Sequence, residues 1–462
     1  MSESLAAPAV PERWHGLWRS IGYNKLLEIG PAGYALDTAT AHHATPFERG
    51  PAAELAQAFD RVELMPDGRL ALFHAHDLTR YEFERCERWP ADCRRYLTPC
   101  ADPLLNFAAF CEVFAENYAF FELRGVDWAA LSELGHARLT RSPSAATLLD
   151  TLGDLVAALD DLHVHVTTPD RRLRSALTAR GPREALQATF CLAGTQLSLR
   201  SSVTRIAASL RETLLGEFAS TLRGFRQAGN DVVAWGTLRP GVGYLNLLRM
   251  FGFASTAASR QADDLPHRLS SVGPFMAADM AALNAALDEV IRDLAGHRVL
   301  IVDVRLNGGG FDRAGMLLCE RLVDRPTTVY LKKARTASGF TPPQSIVLTP
   351  SAGPRFGGSV LLLTSALTVS AGEVLALAMT ALPNVTLLGE RTQGILSDNL
   401  FHRLPNGWEV SLSNEVYMTR DGRCFEAEGV PPAVELPPLG ATDLLSDLRA
   451  GLRLAVQHTI TR

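Results

Sequence analysis

The sequence predicts an α/β fold, in which a layered α/β domain follows a helical region and a small β-rich domain. Three observations carry this. From Val242 onward, short apolar strands alternate with segments of helical period, the pattern of strands joined by crossover helices. Between Asp102 and about Leu155 the apolar spacing is that of amphipathic helices, as in Phe107, Phe110, Cys111 and Phe114. The first hundred residues instead carry short aromatic and β-branched runs cut by Gly, Pro and Asp turns. The expected division is 1–100 for the β-rich part, 101–235 for the helical region and 236–462 for the α/β domain.

In the opening part, strands are expected at Trp18–Gly22, Tyr34–Thr38, Arg61–Leu64 and Arg69–Phe73, the last two joined by the turn Pro66-Asp67-Gly68. A later helix rests on Leu148, Leu149, Leu152 and Leu155, and the region ends in Leu159-Asp160-Asp161-Leu162-His163-Val164-His165-Val166. Arg171 to Ala228 is rich in Ala, Leu and Arg and reads as helical. A strand at Val242–Leu248 and a strong helix at Met276–Leu294 come next, then a strand at Val299–Val304 and a helix at Ala314–Leu322. Strands at Thr328–Leu331 and Val360–Leu363, a helix after Ser370 and a strand group from Val385 to Tyr417 complete the pattern. In such a domain the site lies at the carboxyl ends of the strands.

Composition bounds the function. With 462 residues, 47% of them apolar, and a formal charge of −5, the chain reads as globular and mildly acidic, which argues against a nucleic-acid partner. No segment is long and apolar enough to be expected in a membrane, and Met1 to Glu12 lacks the charged start and apolar core of a signal peptide, so a cytoplasmic location is expected. Cys86, Cys93 and Cys100 recur at equal spacing, but a zinc site favours closer pairs, and no metal or organic cofactor is expected. Lysine is confined to Lys25, Lys332 and Lys333, which limits any serine chemistry that needs an amine base.

Ser370 stands in Thr368-Val369-Ser370-Ala371-Gly372-Glu373, where the run Val360–Leu363 gives way to helical spacing at Val374, Leu375, Leu377 and Ala378. A serine at such a corner is presented outward, and the helix start offers N–H groups to an oxyanion. Locally, an ordinary helix N-cap is the better explanation. Two further features favour chemistry: the strand at Val299 runs into Arg305-Leu306-Asn307-Gly308-Gly309-Gly310, and an acidic glycine turn, Glu426-Ala427-Glu428-Gly429-Val430, follows downstream.

Together with Gly389-Glu390-Arg391-Thr392-Gln393-Gly394 and Pro431-Pro432, this ordered set resembles the serine peptidases of the tail-specific, C-terminal processing family and the tricorn core protease, over roughly Pro103 to Leu436. The resemblance implies a crotonase-like catalytic domain. One branch of that family activates its serine with a lysine in Phe-Gly-Lys-Gly, but the matching stretch here is Gln393-Gly394-Ile395-Leu396, with Ile395 at the lysine position. The tricorn-like branch takes a histidine from a short motif ending the helical region, and His163 in Asp161-Leu162-His163 matches it.

The resemblance then implies Ser370 as nucleophile and His163 as the base, since neutral imidazole suits proton abstraction near neutral pH. His165 is the rival base. A carboxylate should fix the imidazole; Glu426 matches that position, with Glu428 as its alternate. The oxyanion hole would combine the Ala371 N–H with that of Gly309, or of Gly310, while Asp303, Arg305 and Asn307 brace the turn. The expected substrate is a peptide or protein. A non-catalytic ligand- or peptide-binding protein on the same scaffold is the alternative from another class, and an acyl-thioester enzyme is a third, because fold alone does not fix function.

Overall fold

The computed structural model describes residues 11–51, 54–55, 59, 61–73, 78–170, 173–175, 202–254, 269–439 and 444–459. Its centre is a seven-stranded sheet whose spatial order follows the chain: β1 (Arg223–Ala228), β2 (Val233–Arg239), β3 (Val242–Leu247), β4 (Val299–Asp303), β5 (Ser359–Thr364), β6 (Val385–Gly389) and β7 (Val434–Glu435). The first three pair antiparallel, and β3 through β7 run parallel. Parallel strands covered on both faces need apolar residues at successive positions. Leu300-Ile301-Val302 and Val360-Leu361-Leu362-Leu363 meet that need, and all seven are buried.

Eight helices lie among the described residues: α1 (Pro103–Asn117), α2 (Trp128–Arg141), α3 (Ala145–Ala158), α4 (Ser202–Thr221), α5 (Leu269–Leu294), α6 (Asp312–Cys319), α7 (Ala371–Met379) and α8 (Leu444–His458). Strand alternation divides the core. Leu300, Val302 and Leu362 face Leu283, Leu287, Leu318 and Leu375 of α5, α6 and α7. Ile301, Leu361 and Leu363 face Leu214 and Phe218 of α4 and Leu448 and Ala455 of α8. The domain is therefore three layers, helix on sheet on helix.

Helices α1 to α3 form a second core with Phe107, Phe110, Trp128 and Leu152. Their starts are capped as the sequence dictates: Asp102 accepts the Leu104 N–H at 2.9 Å with Pro103 in the first turn, and Ser144 accepts the Thr147 N–H at 3.1 Å. Behind α3 the chain turns at Asp161 and enters a short strand, His165–Thr167, which pairs with Glu409–Ser413. That pairing carries the end of the helical region onto the later chain. The N-terminal part is an eight-stranded sheet spanning Gly16 to Arg95.

Most expected strands are present, as are the helices after Ser370 and around Met276, the latter starting earlier, at Leu269. Arg171–Ala228 is mixed: residues 171–172 and 176–201 lie outside those described, 202–221 is helical, and Arg223–Ala228 is a strand. The alternation that betrays a half-buried strand is absent from Arg223–Ala228, which lies at the sheet edge with no fully buried side chain. Among the described residues no helix is long and apolar enough to cross a membrane, and no three His, Cys, Asp or Glu side chains are arranged to hold a metal ion.

Candidate active site

The carboxyl ends of β4 and β5 are stitched together. Ser365 Oγ donates to Arg305 O at 2.6 Å, Thr368 Oγ1 donates to Val304 O at 2.9 Å, and the Val369 N–H donates to Asn307 O at 2.9 Å. Arg305 grips Asp303 with Nε at 2.9 Å and Nη2 at 2.6 Å, so the start of the glycine turn is held from below. On this base Ser370 adopts φ 53° and ψ −123°, a left-handed conformation that a residue with a Cβ rarely takes. Such strain costs about 1–3 kcal/mol and persists only when surroundings impose it. Ser370 stands over the Glu373 amide in a capping-box arrangement but makes no cap hydrogen bond of full geometry.

Gly309 lies directly against this corner. A Cβ placed on it would sit 2.8 Å from Ser370 Cβ and 2.9 Å from Val369 O, and its φ is 87°. Its own N–H donates to Asn307 Oδ1 at 2.9 Å. The N–H groups of Ala371 and Gly310 have no acceptor among the described residues. Of the two glycines weighed from sequence, Gly310 is the one with a donor to offer, while Gly309 supplies close approach. Gly309→Ala is expected to lower the rate of any reaction at Ser370 by about 10²-fold or more, because the methyl must displace the serine itself; unchanged labelling of Ser370 by a serine-directed probe would refute the packing argument.

His163 is buried, and its N–H donates to Asp161 Oδ1 at 3.0 Å. Leu162 packs on Val369 and Ile395, which sets the histidine segment against the neighbours of Ser370. Neither ring nitrogen of His163 has a hydrogen-bond partner among the described residues, although the Ser397 backbone lies near enough to favour the charged ring. Burial lowers the His163 pKa, Asp161 and the Ser397 backbone oppose that, and Arg124 adds to it. His165 is also buried, and its ring meets Phe401 edge-on at 6.2 Å between centroids.

Two buried carboxylates divide the loop 394–397 between them. Glu373 Oε1 accepts the Gly394 N–H at 2.6 Å, and Oε2 accepts those of Ile395 at 2.9 Å and Ser370 at 3.2 Å. The next two N–H groups, of Leu396 and Ser397, go to Glu426 Oε2 at 2.8 and 3.0 Å. Glu426 Oε1 faces Arg124 Nη2 at 3.5 Å, and the same nitrogen lies 3.8 Å from Asp161 Oδ2. Burial pushes the Glu373 carboxyl up to about 7 against the pull of its hydrogen bonds. Burial likewise raises Glu426 well above the ordinary range; Asp161 adds to this and Arg124 opposes it. Glu428 is exposed and pairs with Arg423 at 3.7 Å.

The structure thus gathers Ser370, Ala371, Gly309, Gly310 and the His163 segment, with Glu426 linked to them through the 394–397 loop and Arg124. Arg124 and the role of Glu373 were not read from the sequence. Glu373 had a signal, its position three residues after a serine at a helix start; Arg124 had none. The three lysines are engaged elsewhere: Lys332 Nζ with Glu415 at 3.2 Å, Lys25 Nζ with Phe401 O at 3.0 Å, and Lys333 Nζ over the Phe340 ring at 4.3 Å from its centroid.

Residues 271–436 match the model of peptidase family S41, the family read from the motif set, and that stretch holds Ser370, the glycine turn and Glu426. The chain is 30% identical over 156 residues to the chloroplastic C-terminal processing peptidase of Tetradesmus obliquus, covering 33% of this chain and 32% of that one. It is also 30% identical over 148 residues to the tricorn protease of Thermoplasma volcanium, covering 31% of this chain and 13% of that one. The chain therefore spans less than a third of the length of either relative. The fold is similar to the crystal structure of a candidate peptidase from Parabacteroides merdae, with a TM-score of 0.57 at 21% identity over 78% of this chain and 96% of that one. It is also similar to mature CPAF complexed with lactacystin, with a TM-score of 0.52 at 12% identity over 77% and 97% of the two chains.

Proposed function

We propose that the protein is a serine peptidase that cleaves peptide or protein substrates through an acyl-enzyme on Ser370. The observation that carries this reading is the strained Ser370 corner, held against Gly309 and flanked by the unpaired N–H groups of Ala371 and Gly310. A serine forced into that conformation serves an attack better than it serves a cap, which needs no strain. In the proposed sequence His163 takes the hydroxyl proton as Ser370 Oγ attacks the scissile carbonyl. The oxyanion is received by the Ala371 and Gly310 N–H groups, and the imidazolium returns its proton to the leaving amine. Water then repeats the cycle to release the acyl group.

The tricorn-like plan is favoured over a serine–lysine dyad because Ile395 occupies the lysine position and packs with Val369 and Leu162. Glu426 is assigned to orienting His163, a positional role that its burial-favoured neutral form can fill. Its link to His163 runs through Ser397, whose N–H it accepts at 3.0 Å and whose backbone favours the charged ring, with Arg124 and Asp161 close to Glu426 as well. The test is labelling with a fluorophosphonate. Wild type should react and Ser370→Ala should not, and His163→Ala should abolish the reaction where His165→Ala leaves it. Silence of the wild type would favour the non-catalytic binding protein.

The pH profile offers a separate check. Because burial lowers the His163 pKa, the base stays neutral below the ordinary histidine value of about 6.5. Labelling of wild type is expected to hold its rate as pH falls through about 6.5 and to decline only in more acid solution. An acid limb centred at or above that value contradicts the assignment of His163.

A further inference from the structure

A cavity of about 570 Å³ lies on the opposite side of the central sheet from α5, α6 and α7, between α4 and α8, and no step at Ser370 uses it. Its walls are Leu214 and Phe218 from α4 and Leu445, Leu448, Leu452 and Val456 from α8. The volume falls within the range typical of sites for small organic ligands, about 300–1,000 Å³. The apolar wall on α8 runs from Leu445 to Val456, about 16 Å along the helix axis. An apolar wall of that length suits an extended alkyl chain better than a compact ring.

Its charged groups are unequal in sign. Four arginines and two acids line it: Arg239, Arg305, Arg449 and Arg453 against Glu217 and Asp303. Asp303 is held by Arg305 at 2.6 Å and Glu217 by Arg449 at 2.5 Å, so both acids are paired. Arg239 and Arg453 have no hydrogen bond or ion pair among the described residues. Arg453 is exposed and Arg239 half-buried, which places two unpaired guanidinium groups on the lining of an apolar slot. A guanidinium fork binds carboxylate or phosphate oxygens in pairs.

We propose that this cavity is a binding site for a long-chain amphiphile with an anionic head, its alkyl body between α4 and α8 and its head on Arg239 and Arg453. The floor is joined to the catalytic turn by sequence, since Arg305 and Leu306 line the cavity and Asn307 holds Gly309. Helix α8 is fastened there as well: Arg305 Nη1 donates to Leu448 O at 3.0 Å.

The experiment uses the full chain carrying Ser370→Ala, so that its result is independent of peptidase activity. Binding of 11-(dansylamino)undecanoic acid is followed by fluorescence, with displacement by dodecanoate, dodecan-1-ol and dodecylamine below their aggregation limits. Saturable binding displaced best by dodecanoate is expected. The double reversal Arg239→Glu with Arg453→Glu should weaken dodecanoate by about tenfold or more and leave dodecan-1-ol unchanged. Leu452→Trp should fill the slot and remove binding of all three; if that variant fails to fold by circular dichroism, Leu238→Trp takes its place. The absence of saturable binding, its survival in the filled variant, or equal displacement by dodecylamine overturns the proposal.

Discussion

Ser370→Gly is expected to separate chemistry from stability: hydrolysis and fluorophosphonate labelling disappear while the fold becomes more stable. The serine holds φ 53° and ψ −123°, a region that glycine enters without a Cβ penalty. Releasing that strain returns about 1–3 kcal/mol, against about 0.5–1 kcal/mol for the greater freedom of glycine in the unfolded chain. Loss of a capping side chain to glycine subtracts only a few tenths. A net gain of about 1 kcal/mol should appear as a higher denaturant midpoint at unchanged slope. Loss of the proposed nucleophile should lower turnover by about 10⁴-fold or more. Ser370→Ala shares the chemical loss but keeps a Cβ in the strained region, so its stability should stay near that of wild type. A glycine variant less stable than the alanine variant would show that the corner is relaxed.

The parts of this site that were legible in the sequence share one property: their signal is local. Ser370 stands between an unbroken apolar run and a helical period, and the glycine turn ends another such run. His163 is different. Residues two apart on a strand share a face, so alternation does not separate His163 from His165. What distinguishes them is the turn at Asp161, where the Val164 N–H donates to Asp161 O at 3.1 Å and the strand starts only at His165. That geometry is set by tertiary packing of Leu162 on Val369 and Ile395, residues more than 200 positions away. Arg124 was invisible for the same reason, since a loop arginine becomes informative only when burial places it beside Asp161 and Glu426. Sequence does not separate Gly309 from Gly310 as a donor, because it shows which residues tolerate close approach but not which N–H is already held, here that of Gly309 by Asn307. The edge strand Arg223–Ala228 carries no alternation to mark it.

Glu373→Gln is expected to impair catalysis without touching substrate, and to do so with a recognisable pH signature. Glutamine keeps one oxygen and replaces the other with a donor, so either the Gly394 N–H or the pair from Ile395 and Ser370 loses its acceptor inside the protein. An unsatisfied buried donor costs about 1–3 kcal/mol, which the loop can avoid only by moving. Since the next two amides of that loop hold Glu426, movement displaces the carboxylate and the serine corner together. A misplacement near 1 Å lowers turnover by about 10²-fold, and the loss should fall on kcat far more than on KM, as suits a positioning residue. The stability signature has a definite direction. The folded carboxyl titrates at about 7 and the unfolded one near 4.5, so between those values the folded chain keeps a proton that the unfolded chain has released. The contribution of this group is fully present below about pH 4.5 and is lost as pH rises through about 7. Glutamine does not titrate. The unfolding free energy of wild type minus that of Glu373→Gln should therefore fall on going from pH 4.5 to 8, by at most about 3 kcal/mol. A difference that instead grows with pH would mean that the three amide donors outweigh burial and hold Glu373 ionised. The carboxylate would then fasten the loop by charge at every working pH, and its replacement should be most damaging in alkaline solution.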